Sequence, residues 1–322
     1  MANASVLGPV VQRAILISEL QRLRVERGET QDQVAAALDW STSKLIRIEG
    51  GTVGVSTTDL QALLRHYGLP DGDEQVAVLT MIARGARQRG WWSLYRREMK
   101  PAYLQYIGYE SGASIIRSFQ TMMVPGLLQT EEYANALTIE FVSSRADRDV
   151  VVEVRMRRQE EIFARDDPPQ LKVVVDEAVL RRRVGGQFDP GIMPRQLRHI
   201  LDMLERPNVS VEVIPFSAGA HFGMMGEFTI LEFDDARLSD VLFQENVGGS
   251  DLTVQDRDTR VTDYRAAFEN LRQLALPAER TPAFVEDVIA SMEADARLDA
   301  RSALVPGGPG RGLGSKAADG VQ

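Results

Sequence analysis

The 322-residue chain contains no cysteine. That excludes disulfides, thiolate zinc sites and cysteine nucleophiles, and it fits a reducing compartment. Histidine is almost as scarce. His66, His199 and His221 are scattered along the chain, so no histidine-only metal site is expected. No stretch approaches the ~20 consecutive apolar residues of a membrane helix. The first residues, M-A-N-A-S-V-L-G-P-V, lack the basic region and the apolar run of a signal peptide. A cytoplasmic location without membrane contact is the expectation. Catalytic signatures are missing as well: there is no P-loop, no H-E-x-x-H and no G-x-S-x-G. Gly219, Gly223 and Gly226 around His221 do not form the dinucleotide fingerprint and lack its strand-to-helix context. The chain is expected to be no enzyme and to need no cofactor and no metal.

Positive charge is short too. The formal net charge is −9, unusual for a chain that meets nucleic acid until it is divided. Residues 1–100 carry 13 Lys and Arg against 11 Asp and Glu, a balance of +2. The remainder carries 24 against 35, a balance of −11. A near-neutral N-terminal part binds DNA only modestly as one copy, since phosphate neutralisation supplies most non-specific affinity.

What is present centres on Thr30 to Gly51, T-Q-D-Q-V-A-A-A-L-D-W-S-T-S-K-L-I-R-I-E-G-G. Thr30 is a good N-cap with Gln33 where a capping box needs it. Val34, Ala37 and Leu38 share one apolar face at i, i+3, i+4. The helix should break at Asp39-Trp40, because Asp tolerates the left-handed conformation. Ser41 caps a second helix with Leu45, Ile46 and Ile48 inward and Thr42, Ser43, Lys44 and Arg47 outward, ended by Gly50-Gly51. Ala35 and Ala36 are small enough for close approach, which makes a helix-turn-helix unit.

These residues resemble the Cro/repressor-type helix-turn-helix family, also called the xenobiotic-response-element family, with Asp39 where that family usually has Gly. The resemblance implies an all-α, five-helix, lambda-repressor-like DNA-binding domain. It places Thr42, Ser43, Lys44 and Arg47 at DNA-facing positions, with Ser41 at the head of the recognition helix. Gln31 and the Gly50-Gly51-Thr52 loop fall where relatives contact phosphate. A plain helical hairpin is the competing interpretation, and for Arg47 the competing role is a salt bridge to Glu49 or Asp32.

The remaining helices of that domain are legible from periodicity. Val11 to Arg27 buries Ile15, Leu16, Leu20 and Leu23 and stops at Gly28. A helix capped at Ser56-Thr57-Thr58 buries Leu60, Leu63 and Leu64. Another spans Asp71 to Arg87 through Val76, Leu79 and Ile82. His66 sits near a helix C-terminus, where a cation is mildly favourable. Residues 84–109 gather six of the ten Trp and Tyr residues (Trp91, Trp92, Tyr95, Tyr103, Tyr106, Tyr109) among six basic ones. Such a mixture suits a nucleic-acid stacking platform or an interface between domains or subunits, and the interface is favoured because rigid aromatics are what interfaces use.

Further on, Glu110 to Thr121 reads as helix, Thr130 caps a helix through Tyr133, Leu137 and Phe141, and a charged helix with a solvated face runs from about Ala146 to Arg165. Strands are expected at 171–176, 209–214, 228–233 and 240–245, with helices at 177–184, 191–205, 257–275 and 282–298. Several strands follow one another through loops, so a mixed α+β domain is expected. The domain scheme is then 1–10 disordered, 11–87 helix-turn-helix domain, 88–109 junction, 110–298 α+β domain and 299–322 a disordered Gly-rich tail. The segments V-P-G-L-L-Q-T-E-E-Y-A, R-M-R-R-Q, D-E-A-V-L-R-R-R-V-G-G, Q-L-R-H-I, N-V-S-V-E-V-I-P-F-S-A-G-A-H and G-E-F-T-I-L-E-F resemble the C-terminal domain of a large actinobacterial family of antitoxin-like regulators. That resemblance implies a small partner protein but carries over no site. Asp176-Glu177 and Glu245 place carboxylates at strand ends without a nucleophile or metal ligand, and His221 and Phe222 are the candidates for the mouth of a sensing pocket.

The function expected is therefore a sequence-specific transcriptional regulator. It binds double-stranded DNA as a homodimer through the helix at 41–49, with a C-terminal domain for regulation by a small partner protein or small-molecule effector. The alternative is an antitoxin-like interaction protein whose C-terminal domain mainly binds its partner.

Overall fold

The computed structural model describes residues 7–246, 249–254 and 260–303. Five helices come first: α1 (Pro9–Glu26), α2 (Gln31–Ala37), α3 (Thr42–Glu49), α4 (Thr57–His66) and α5 (Glu74–Gly85). Pro9 stands at the first helical position, where its missing N–H costs nothing. The helix therefore starts two residues inside the segment expected to be disordered, and residues 1–6 lie outside those described. Val11, Ile15, Leu16, Leu20 and Leu23 of α1 are buried against α5, α3 and the leucines of α4. Thr30 makes both halves of its capping box, and Asp39 takes φ +56°, the one positive φ outside glycine among the described residues.

Two inward assignments need correction. Ile46 is 49% exposed, because Leu45, Ile48 and Glu49 share a helical face at i, i+3, i+4 and position 46 lies a further 100° round. On α2 it is Val34 and Ala35 that are buried while Ala37 is exposed; a helix of two turns touches its neighbours at one patch only.

The expected junction divides into a 3₁₀ turn, Trp91–Tyr95, and helix α6 (Pro101–Glu110). A helix over Glu110–Thr121 is not what forms. Residues Ile115–Gln120 are strand β1, the strand on which the sheet is built. Then come α7 (Glu131–Phe141), α8 (Arg145–Phe163), β2 (Gln170–Asp176), α9 (Glu177–Arg181), α10 (Ile192–Leu204) and β3 (Val209–Ile214). Strands β4 (Phe228–Glu232), β5 (Val241–Asn246) and β6 (Gly249–Val254) precede α11 (Arg260–Leu274) and α12 (Thr281–Ala303). The strand β6 was not legible, Phe141 points outward at 72% exposure, and α12 runs past the expected boundary at 298. Residues 304–322 of the expected tail lie outside those described.

The six strands are ordered β3-β2-β1-β4-β5-β6. β1, β2 and β3 are parallel, while β4, β5 and β6 run antiparallel to their neighbours. This is the mixed α+β domain expected. One face is closed by α11, whose Val261, Phe268 and Leu271 meet Phe119, Val174, Ile230 and Leu242. The other face carries Ile116, Leu171, Val173 and Phe243 and belongs to the same apolar cluster as the N-terminal helices. Trp92, Leu104, Tyr106, Ile107 and Tyr109 form the bridge.

Candidate nucleic-acid interface

The recognition helix is held from beneath by Glu49, a buried carboxylate at its C-terminal end. Arg24 of α1 donates to both its oxygens, Nε at 2.8 Å and Nη2 at 2.9 Å, and Gln31 Nε2 donates at 2.8 Å. Gln21 Nε2 caps the Glu49 carbonyl at 2.8 Å. A carboxylate can be buried when its lone pairs are all served in this way. One residue thus fixes α3 to α1 and to the start of α2.

Ser41, Ser43, Ile46 and Arg47 are exposed and Thr42 is half-buried. Ser41 occupies the N-cap position, yet its side chain makes no cap hydrogen bond. Glu49 is committed to Arg24, so neither salt bridge considered for Arg47 forms; its Nε reaches only the Ser43 carbonyl, at 3.3 Å. Lys44 is engaged, with Nζ 2.6 Å from Asp59 and 3.8 Å from the centre of the Trp40 ring. The Gln31 amide is bound to Glu49, which leaves its backbone N–H at the helix start to face outward chemistry. Thr52 Oγ1 donates to the Arg47 carbonyl at 3.1 Å and ties down the loop behind the helix. Gly51 there has φ +68°. Beside Gly50 and Gly51 a crevice of about 710 Å³ opens between α1, the 3₁₀ turn and α6, with Arg13, Arg89 and Arg96 along it.

His66 has a specific partner, Glu29, at 2.6 Å, and that hydrogen bond holds the Glu29 carboxyl below its ordinary value. The aromatics of 91–109 pack one domain on the other within a single chain. Tyr95 Oη donates to Glu153 of α8 at 2.6 Å, Arg157 lies 4.7 Å from the Trp91 ring centre, and Tyr106 stacks on Phe243 at 4.3 Å.

The C-terminal domain holds a second polar centre, which sequence reasoning missed. α8 is solvated on one side only. Its Arg158 is buried, with Nε 2.8 Å from Oε2 of the fully buried Glu110, a contact ion pair whose N–H is not aligned on that oxygen. Tyr106 Oη donates to the other oxygen of Glu110 at 2.6 Å, and Arg158 Nη1 donates to Tyr103 Oη at 2.7 Å. Burial raises the Glu110 carboxyl above its ordinary value, and the Arg158 charge and the Tyr106 hydrogen bond offset this only in part. The group walls a cavity of about 120 Å³ at the C-terminal end of β1. The spacing R-x-x-R, Arg155 and Arg158 on one helix face, was the available signal, but its partner in α6 is remote in sequence.

His221 and Phe222 do not line that cavity. The His221 side chain is 2% exposed, with Nε2 3.3 Å from Asp176 Oδ2 and the ring edge-on to Phe119. Phe222 lies on the surface against Tyr264. Asp176 caps α9 through Ala178 N, and Glu177 accepts from Phe216 N and Arg181; the Glu245 side chain lies outside the described residues. Among the described residues no group of three or more His, Asp or Glu could hold a metal, and no helix is long and apolar enough to cross a membrane.

A helix-turn-helix domain joined to a mixed α+β domain defines the class, a DNA-binding protein with a second, larger module. Residues 16–78 match the family described as a helix-turn-helix domain. Residues 103–287 match the family described as a domain of unknown function (DUF5753), and the chain belongs to that family. No curated protein and no solved structure matches the chain.

Proposed function

We propose that this protein is a sequence-specific transcriptional regulator that reads operator DNA with α3. The observation that carries this is the division of α3 itself. Its inner face is locked by Glu49, Arg24 and Gln31, while Ser41, Ser43 and Arg47 stand outward at its start and middle with few internal partners. A rigid helix presenting hydroxyls and a guanidinium is suited to base edges in the major groove. Ile46 adds an apolar contact of the kind a thymine methyl accepts. The Cro/repressor-type resemblance supports the same pose. Lys44 joins the interface by leaving Asp59 for phosphate, and the Gln31 backbone and Thr52 sit on the phosphate-facing flank. With a balance of only +2 over residues 1–100, one copy binds weakly, so the working form is a homodimer on half-sites about one helical turn apart.

The sheet domain serves regulation, and its apolar cluster runs directly into that of the DNA-binding helices. A second reading, the antitoxin-like interaction protein, is favoured by one surface feature. Phe216, Phe222, Met224 and Met225 are exposed together on the loop after β3, a patch suited to a protein partner. Neither reading involves catalysis. A genome-wide occupancy map of the tagged full chain tests the first. Sharp sites sharing a motif, lost in Arg47→Ala, are expected, and occupancy no different from an untagged control contradicts it. Co-purification of one small protein in equal amount, without discrete DNA sites, would favour the second.

A further inference from the structure

We propose that the cavity at the C-terminal end of β1 is a binding site for a small zwitterion, an α-amino acid with a short side chain. The inference deepens the regulatory role given above to the sheet domain, but the binding it describes needs no DNA.

The place is chemically built. β1 lies where the parallel half of the sheet, β2 and β3, meets the antiparallel half, and ligands of α/β sheets collect outside the carboxyl ends of strands where chain direction switches. Arg158 is 6% exposed and lines the cavity. Its Nε is paired with Glu110 and its Nη1 with Tyr103, while Nη2 carries no hydrogen bond to any described residue. A buried guanidinium donor left without a partner is costly unless something in the cavity accepts from it.

Two hydroxyl protons are left over beside it. Ser118 Oγ accepts from Gln120 Nε2 at 3.2 Å and from Thr229 Oγ1 at 3.4 Å, which uses its acceptor sites and leaves its proton to give. Tyr103 Oη accepts from Arg158, so its proton is likewise left to give. These three donors suit one carboxylate. Glu227, on the same wall, receives Thr121 Oγ1 at 3.5 Å and retains acceptor capacity for an ammonium. The rings of Tyr106 and Phe243 and the side chain of Leu137 make the apolar remainder. A volume of about 120 Å³ admits roughly the six heavy atoms of alanine, given that a cavity of about 150 Å³ holds benzene.

Calorimetry and thermal melting of the full-length protein without DNA test this, with glycine and L-alanine as probes and L-lactate and methylammonium as controls. Saturable binding of an amino acid is expected, with a rise of a few degrees in melting temperature at about a hundredfold excess over Kd. Lactate, which lacks the ammonium, should bind at least about tenfold more weakly. Ser118→Ala and Tyr103→Phe each remove one donor without disturbing the Arg158–Glu110 pair, and each should weaken binding about tenfold or more while retaining the melting temperature of the free protein. No saturable response to either amino acid up to about 10 mM would overturn the proposal and leave a cavity that holds water. Equal affinity for lactate and alanine, or unchanged affinity in both variants, would also overturn it. These outcomes are read without operator DNA, so a failure to find operators would leave them intact.

Discussion

Glu49 shows how much of this molecule depends on single polar residues buried in the right company. Its carboxylate is closed off by a bidentate arginine and an amide, and the three residues come from α1, α2 and α3. Glu49→Ala leaves Arg24 largely buried without its counter-charge, and it should destabilise the protein by about 3–5 kcal/mol in urea titrations. A loss under about 1 kcal/mol would mean that the network is dispensable. The resemblance marked the Glu as part of a motif but assigned it no partner; Arg24 sits 25 positions earlier, and nothing local points to it. Asp39 is the opposite case. Its left-handed turn was legible because the constraint is local: a short polar side chain at the break of two helices.

At the scale of elements, α6 does the joining. Its Tyr103 and Tyr106 face the sheet domain, and its Gly108 faces α1, where an added Cβ would come 2.4 Å from Val10 Cγ2. Val10 is short and β-branched and cannot swing aside. Gly108→Ala should therefore push α1 away from α6 at a cost of about 1–3 kcal/mol. Hydrogen exchange should show faster amides in the first turns of α1 and unchanged protection in β1; uniform protection throughout would show that the two helices are not held by this contact. Strand β1 shows where element reading stopped. I-I-R-S-F-Q carries three polar residues, yet β1 is paired on both sides. The polarity is answered from afar: Arg117 by Glu232 and Glu269, Ser118 by Gln120 and Thr229. A strand recognised by apolar content does not reveal itself when its partners lie more than a hundred residues away. Strands β2 and β3, with near-continuous valines, were plain. The arginine-rich helix α8 misled for the same reason, since Arg158 belongs to Glu110 and Tyr103 and not to its own helix.

For the whole molecule, charge sets the response to pH. Burial alone would raise the Glu232 carboxyl, but hydrogen bonds and charge from Arg117 and Arg265 outweigh it and hold the group below 4.5. A carboxyl depressed in the fold stabilises above its unfolded value, and the contribution is lost as pH falls through the folded value. Glu110 works in the other direction. Burial lifts it above 4.5, so its contribution declines as pH rises from there toward the folded value. Glu232→Gln should lower the urea midpoint near neutral pH and flatten the loss of stability below about pH 4.5. An acid limb as steep as in the parent protein would assign that loss to other carboxyls.

Charge also orients the molecule. The −11 carried beyond residue 100 keeps the sheet domain away from phosphate and turns α3 toward it. The most direct test of the central claim, that α3 reads bases, is selection of duplexes from a random library with the full-length protein, followed by titration of the selected site. The wild type should enrich one motif with two related half-sites. Arg47→Ala should weaken that site by about 1–3 kcal/mol and relax preference at one base position in each half-site, with the melting temperature unchanged. Enrichment of the same motif with the same affinity by Arg47→Ala, or no motif from the folded wild type, would contradict it.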